Sequence, residues 1–183
     1  SKHITTDQMP EWAEGKQPDE LKVAAIAHLK ASGEKPTPAK VDAFEKPVVS
    51  SLEINAALAA FTQVGATAEY ISLDVTRGDS VKETLSKLDG VTGLIHGAGV
   101  LADKYIQDKT VDEFNWVYGT KVGGLKAVLN ALDCANLKLL AMFSSAAGFY
   151  GNTGQSDYSM SNDILNKAAL QFSARFPKAK VMS

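Results

Sequence analysis

The residues that suggest chemistry lie in the stretch GQSDYSMSN, which ends at Asn162. Tyr158 and Asn162 are four positions apart, and side chains at that spacing share one face of a helix. A tyrosine hydroxyl with a basic group beside it can act as a proton donor. An asparagine amide cannot be that base. The stretch therefore raises the question of which distant residue stands beside Tyr158.

The elements that must position this tyrosine alternate between strands and helices. Short apolar stretches predict strands at residues 68–75, 93–99 and 137–145, and another from 179 onward. Between them the sequence predicts helices at residues 80–88, 110–134 and 158–176, and Thr110 and Glu113 have capping-box spacing. This alternation predicts an α/β fold, a Rossmann-like parallel sheet with helices on both faces.

The first 65 residues predict helices rather than strands. One helix covers residues 18–33 and ends at Gly33; its apolar stripe is Leu21, Ala25 and Leu29. Residues 34–47 contain three prolines and predict a loop or an insertion.

A second helix is predicted at residues 50–65. Ser50 and Glu53 have the spacing of a capping box at its start, and Gly65 is typical of its end. Its predicted apolar stripe is Ile54, Leu58 and Phe61. We therefore expect residues 1–65 to form a helical or inserted region ahead of the alternating elements.

In parallel sheets of this kind, ligands bind at the carboxyl ends of the strands. Three of the predicted strands end in residues that could contact a ligand: Asp74 and Val75, then His96, Gly97, Ala98 and Gly99, then Ser144 and Ser145. Each is a candidate by position. The plainer alternative is that the glycines only turn the chain and the serines only cap helices.

Four residues combine type and spacing in a more specific way. Lys121, Ser145, Tyr158 and Asn162 follow one another at intervals of 24, 13 and 4 residues. This order resembles the ketoreductase domains of modular polyketide synthases and animal-type fatty acid synthases, within the short-chain dehydrogenase/reductase superfamily. Ordinary members of that superfamily carry Tyr-x-x-x-Lys. The synthase ketoreductases carry Tyr-x-x-x-Asn and place the lysine on the preceding helix, as YSMSN and GTKVGG do here.

The resemblance implies a role for each residue in reducing a ketone. A tyrosine hydroxyl ordinarily keeps its proton up to about pH 10, and a nearby ammonium favours the phenolate. Tyr158 is then the proton donor, with Lys121 as its electrostatic partner. Ser145 donates a hydrogen bond to the substrate oxygen, with Ser144 as the rival for that role. Asn162 holds the lysine or a water chain that leads to it.

The same resemblance implies a nicotinamide cofactor, NADPH. Asp74, with Val75, matches the residue that meets the adenine ring. LIHGAGVLADK matches the turn that lies along the cofactor, which adds His96, Gly97, Ala98 and Gly99 to the cofactor contacts, together with Lys121 and Tyr158. Lys2 is a candidate contact for the 2′-phosphate.

The implied substrate is a 3-oxoacyl group on an acyl carrier protein, in a multidomain synthase. Leu101-Ala102-Asp103 resembles the Leu-Asp-Asp signature of one stereochemical class, although Ala102 replaces the middle Asp. Tyr150 stands where the opposite class tends to carry tryptophan. The expected product is a D (3R) 3-hydroxyacyl group. Two segments resemble the ketoreductases of bacterial polyunsaturated fatty acid synthases in particular: residues 1–60 and the stretch HGAGVLADKYIQDKT.

Residues 66–183 carry this resemblance. No G-x-G-x-x-G turn appears near the start, and this turn normally brings backbone amides to the cofactor pyrophosphate. We therefore expect a chain truncated at both ends, with a missing first βαβ unit ahead of residues 1–65, and doubtful activity on its own.

Three alternatives stay open. A non-catalytic structural half of a synthase ketoreductase would lack the catalytic residues. An ordinary short-chain dehydrogenase or nucleotide-sugar epimerase would need lysine at position 162. A dinucleotide-sensing module would bind the cofactor without turnover.

Composition excludes several other classes of function. The net charge of -2, from 19 basic and 21 acidic residues, is not the basic surface typical of nucleic-acid binding. Apolar runs stay well short of the roughly 20 residues that a membrane span needs. Cys134 is the single cysteine, so an internal disulfide is impossible. We expect no metal site and a cytoplasmic protein.

Overall fold

The computed structural model describes residues 3–183, so Lys2 lies outside the described residues. The chain forms two compact units, Ser1–Ser72 and Leu73–Ser183, and each is described by itself. The helices are α1 (Pro18–Ala31), α2 (Pro38–Gln63), α3 (Gly78–Leu85), α4 (Val111–Tyr118), α5 (Gly124–Ala131), α6 (Ala147–Tyr150) and α7 (Ser156–Arg175); the strands are β1 (Gly93–His96), β2 (Leu139–Met142) and β3 (Lys180–Met182). Short 3₁₀ turns lie at Thr6–Gln8, Glu11–Ala13, Ile106–Asp108 and Cys134–Asn136.

The first unit packs α1 against α2. Its predicted stripe is confirmed, because Leu21, Ala25 and Leu29 are all fully buried. They pack with Val48 and Val41 of α2 in two small clusters. Helix α1 ends just before Gly33, whose φ of 77° is in the left-handed region that favours glycine.

The loop or insertion predicted at residues 34–47 is wrong from Pro38 onward, because α2 runs from Pro38 through Pro47 to Gln63. Pro38 occupies the first turn, where its missing N–H is not needed, and Thr37 caps that turn by accepting from the Lys40 backbone. Pro47 removes one internal hydrogen bond, at a cost of about 3 kcal/mol. Burial of Val41 and Val48 on either side of it offsets that cost.

The second predicted helix is therefore the later half of α2. Ser50 lies inside the helix, so it does not form the predicted capping box with Glu53. The predicted stripe is also wrong in part, since Ile54 and Leu58 are partly buried but Phe61 is 52% exposed. The end is as predicted, with Gly65 at a φ of 75°.

The second unit contains a parallel sheet of order β1-β2-β3. Gly93 pairs with Leu139, and Leu139 pairs with Lys180. Side chains from α5, β2, α7 and the residue that follows the Cys134–Asn136 turn form its main core: Leu125, Leu137, Leu140, Met142, Leu165, Ala169 and Phe172. The predicted α/β class, a parallel sheet flanked by helices, is confirmed.

The strand predicted at residues 68–75 is wrong. Within the described residues the sheet consists of β1, β2 and β3, and none of them has this segment as its hydrogen-bonded neighbour. A strand needs such a ladder to form, whatever its own apolar pattern. Tyr70 and Ile71, which suggested a buried strand, are exposed.

Candidate active site

A π-helical turn at Gly119–Gly123, between α4 and α5, carries Lys121. Such turns insert an extra residue into a helix and are frequent at functional sites. Lys121 is only 4% exposed, and its Nζ donates a hydrogen bond of 2.8 Å to the backbone oxygen of Phe143. Because Phe143 directly follows β2, the ammonium lies at the carboxyl end of the sheet.

Tyr158, in the first turn of α7, meets this ammonium. The Nζ of Lys121 lies 5.5 Å from the centroid of the Tyr158 ring, within the range of a cation–π contact. Burial lowers the pKa of Lys121, because the charged form loses water. A lowered pKa makes the ammonium a better proton donor toward a neighbouring group.

Asn162 lies one turn after Tyr158 and is fully buried. Its Nδ2 donates to the backbone oxygen of Tyr158 at 2.8 Å. Its Oδ1 accepts no hydrogen bond from any residue that the structure describes. A contact between Asn162 and the Lys121 side chain, as the sequence suggested, is not among its hydrogen bonds. The unsatisfied oxygen is a natural place for a bridging water.

The two serines after β2 have different partners. Ser144 Oγ donates to the backbone oxygen of Asn162 at 3.2 Å, which ties it to α7. Ser145 Oγ accepts from the backbone N–H of Ala147 at 3.2 Å, so its own hydrogen can still be donated. This geometry favours Ser145 over Ser144 as the donor to a substrate oxygen.

His96, at the end of β1, holds the backbone of the π turn. Its Nε2 lies 2.8 Å from the backbone oxygen of Lys121, and a carbonyl only accepts, so Nε2 carries the hydrogen. Burial lowers the pKa of His96; the bond to Lys121 opposes that shift and the Lys121 charge adds to it. A neutral imidazole that positions Lys121 is therefore the consistent state.

The glycine turn after β1 lies beside the same ammonium. A Cβ added to Gly99 would stand 3.4 Å from Lys121 Nζ, and one added to Gly97 would stand 3.5 Å from the Phe143 ring. Both glycines are exposed, with Ala98 partly buried between them. The turn thus presents backbone at the edge of the site.

Asp74 and Val75 differ in how they relate to this site. Asp74 is exposed, and its Oδ1 accepts from the Thr76 backbone at 2.9 Å and from the Thr76 hydroxyl at 2.7 Å. These bonds lower the pKa of Asp74. Val75 packs on Gly124, where an added Cβ would approach its Cγ2 to 2.9 Å and His96 to 3.7 Å. Val75 therefore joins the group around His96, whereas Asp74 bonds within its own turn.

Sequence reasoning missed three features of the site. The backbone oxygen of Phe143, which accepts from Lys121, leaves no signal in the sequence because every residue type has a backbone oxygen. Gly148 lets α6 approach α7, since a Cβ there would lie 2.9 Å from Asn162 Cβ. Lys109 and Asp157 form a buried ion pair next to Tyr158; they are 48 residues apart, and no local pattern links them.

Two negative observations concern the described part of the chain. Among residues 3–183 no helix is long and apolar enough to cross a membrane. The residues that the structure describes contain no group of three or more His, Cys, Asp or Glu side chains that could hold a metal ion.

Comparison with known proteins gives a consistent set of matches. The family model of the KR domain matches residues 48–182. One subunit of the polyunsaturated fatty acid synthase of Thraustochytrium sp. is 43% identical over 175 residues, which is 90% of this chain and 6% of that protein. Polyketide synthase PksN of Bacillus subtilis is 35% identical over 111 residues, 58% of this chain and 2% of that protein.

Among solved structures, an N-terminal ketoreductase from a macrolactin assembly line superposes with a TM-score of 0.65 at 27% identity. The match covers 71% of this chain and 28% of that one. The chain thus spans a small part of the curated relatives that it matches. The match to the Thraustochytrium synthase extends over far more of the chain than the match to PksN.

Proposed function

This chain belongs to the KR domain family, the ketoreductases of synthase assembly lines, and we propose that it reduces a 3-oxoacyl group on an acyl carrier protein to the 3-hydroxyacyl group with NADPH. One observation carries the proposal: the buried ammonium of Lys121 lies 5.5 Å from the Tyr158 ring. Asn162 is hydrogen-bonded to the backbone of the same tyrosine. In this proposal the other domains of a multidomain synthase supply the substrate.

The proposal assigns a residue to each proton-handling step of the reduction. When bound, the nicotinamide cofactor supplies the hydride to the carbonyl carbon. The hydroxyl of Tyr158 gives its proton to the carbonyl oxygen, and the Lys121 charge stabilises the phenolate that remains. Ser145 donates a hydrogen bond to the oxygen as negative charge develops there. In this proposal Asn162 Oδ1, which has no partner among the described residues, binds a water that returns a proton toward Tyr158.

The residues at the sheet edge fit one end of such a cofactor. The exposed backbone of the glycine turn and the ammonium of Lys121 adjoin each other, which suits a flat ring and its ribose. The residues that would hold the cofactor are Asp74, Val75, His96, Gly97, Ala98, Gly99, Lys121 and Tyr158. The glycine turn and Lys121 suit a nicotinamide dinucleotide, whereas the roles of Asp74, Val75 and His96 and the choice of NADPH rest on the resemblance to synthase ketoreductases.

We also propose a D (3R) product, and we propose that the catalytic residues belong to one part of the chain. Asp103, in the segment that resembles the Leu-Asp-Asp signature, accepts from Gln155 Nε2 at 2.8 Å, so this segment lies beside the start of α7. Tyr150, at the position of the opposite class's tryptophan, is 82% exposed. Residues 66–183 are the catalytic part in this proposal, and residues 1–65 are a helical region that precedes them.

The test is Tyr158→Phe in the full-length protein, assayed by NADPH consumption with a 3-oxoacyl thioester and by chromatography of the product. We expect turnover to fall by about 10²–10⁴-fold, the range of a lost general acid, while NADPH binding persists. Tyr70→Phe, which removes a hydroxyl from an exposed tyrosine in the first unit, is the matched control. Wild-type protein that binds NADPH but never reduces the thioester would contradict the proposal and favour a dinucleotide sensor.

A further inference from the structure

Lys109 and Asp157 form a buried ion pair that the proposed reaction does not use. Lys109 Nζ lies 2.8 Å from Asp157 Oδ2, and the two side chains are only 4% and 1% exposed. Taking both charges out of water costs free energy that their attraction often fails to recover. Stability alone is therefore a poor explanation of the pair, and its contacts suggest another.

The Asp157 end of the pair reaches the backbone of Tyr158. Asp157 Oδ1 accepts from the N–H of Tyr158 at 2.9 Å. This N–H lies in the first turn of α7, where backbone donors have no partner within the helix. A single carboxylate thus supplies the missing acceptor for Tyr158 and binds Lys109 with its other oxygen.

The Lys109 end reaches the segment that follows the glycine turn. Its Nζ also donates to the backbone oxygen of Ala102 at 2.5 Å. The bond is to the backbone, so it does not depend on which side chain occupies position 102. The result is a continuous path from the Ala102 carbonyl through Lys109 and Asp157 to the N–H of Tyr158.

Other bonds join the same two segments, but they are weaker candidates. Lys104 N–H donates to the Gly154 oxygen at 2.9 Å, and Gln155 bonds to Asp103 in an exposed position. Water can replace an exposed side-chain bond at little cost. The Lys109–Asp157 contact is buried, and its carboxylate also accepts from the N–H of Tyr158.

We propose that Lys109 and Asp157 are positioning residues that set the distance between Tyr158 and the segment after the glycine turn. The cofactor turn and the proton donor lie on separate elements, and reduction needs both at one carbonyl group. This inference rests on the proposed ketoreduction. In this role the pair keeps the two elements at a fixed distance from each other.

The test separates positioning from stability in the full-length protein. K109M removes the bond to Ala102 and leaves Asp157 buried without its cation, so we expect a lower Tm and a kcat lowered by about ten- to hundredfold, as for a small misplacement of reacting groups. K109M/D157N removes the uncompensated charge but keeps an acceptor for the Tyr158 N–H. We expect its Tm to recover and its kcat to stay low, with NADPH affinity unchanged.

K167M is the matched control, because Lys167 pairs with Asp163 on the exposed surface of the same helix. It should change neither kcat nor Tm. If the kcat of K109M/D157N recovers together with its Tm, the pair is merely structural and the inference is overturned.

A second readout works without turnover. Hydrogen exchange of the amides in residues 101–105 should be faster in K109M/D157N than in wild type or K167M, because Ala102 loses its bond to Lys109. If the wild type fails to reduce a 3-oxoacyl thioester, the proposed function fails. Hydrogen exchange then decides by itself whether Lys109 and Asp157 hold the segment after the glycine turn to α7. Unchanged exchange would overturn the inference.

Discussion

At the scale of single residues, Lys121 is the most informative side chain. Burial lowers its pKa, and it holds its ammonium beside the Tyr158 ring. We expect Lys121→Met to lower kcat by about 10²–10⁴-fold, the usual range for acid–base assistance, since the phenolate of Tyr158 loses its neighbouring charge. Steady-state kinetics with NADPH and a 3-oxoacyl thioester measures the effect. The surface variant Lys126→Met is the control, and a K121M protein as fast as wild type would remove Lys121 from the mechanism.

The same residue predicts a pH dependence of stability. Burial lowers the pKa of Lys121 below its ordinary value of 10.5, so in the window between the two values the unfolded chain binds more protons than the folded one. The free energy of unfolding then rises with pH across that window and falls as pH drops through the folded value. Denaturant titrations should show wild type gaining stability relative to K121M as pH approaches 10.5. A constant difference between the two proteins would contradict this account.

At the scale of elements, the last residue of the π turn, Gly123, and the first residue of α5, Gly124, differ in how closely they are packed. A Cβ on Gly124 would come within 2.9 Å of Val75 Cγ2, whereas one on Gly123 would meet nothing within 4 Å. We expect Gly124→Ala to lower the free energy of unfolding by about 1–3 kcal/mol, as overpacking does, and to reduce activity by moving the His96–Lys121 contact. Gly123→Ala should be neutral or stabilising by up to about 1 kcal/mol. Equal effects of both variants in denaturant titrations would show that close packing at Gly124 is unimportant.

The elements also show where sequence reasoning works and where it stops. The helices around Lys121 and Tyr158 were predictable, because caps such as Thr110–Glu113 and apolar periodicity are local signals. The helix through Pro47 was not, because burial of Val41 and Val48 overrides the proline. The strand at residues 68–75 failed because a strand depends on a neighbour. The bonds of Lys121 to Phe143 and His96 join distant parts of the chain, and no spacing rule predicts them.

At the scale of the whole molecule, the chain divides into two units that have separate cores. Leu29 is fully buried in a cluster of the first unit, and Leu165 is fully buried in the core of the second. The KR family model begins at residue 48, inside α2, so α1 lies outside the residues that this model matches. We therefore expect that α1 can be weakened without disturbing the candidate catalytic residues of the second unit.

The matched pair Leu29→Ala and Leu165→Ala tests this independence. Each substitution should cost about 2–5 kcal/mol, the usual range for a buried leucine. Hydrogen exchange followed by mass spectrometry should show faster exchange in residues 18–63 for L29A and in residues 93–175 for L165A. The proposed reductase activity should survive L29A and fall in L165A, because Leu165 lies on α7, the helix that carries Tyr158 and Asn162. If either substitution loosened both regions equally, the two units would fold as one cooperative body, and the helical unit would have to be counted as part of the catalytic structure.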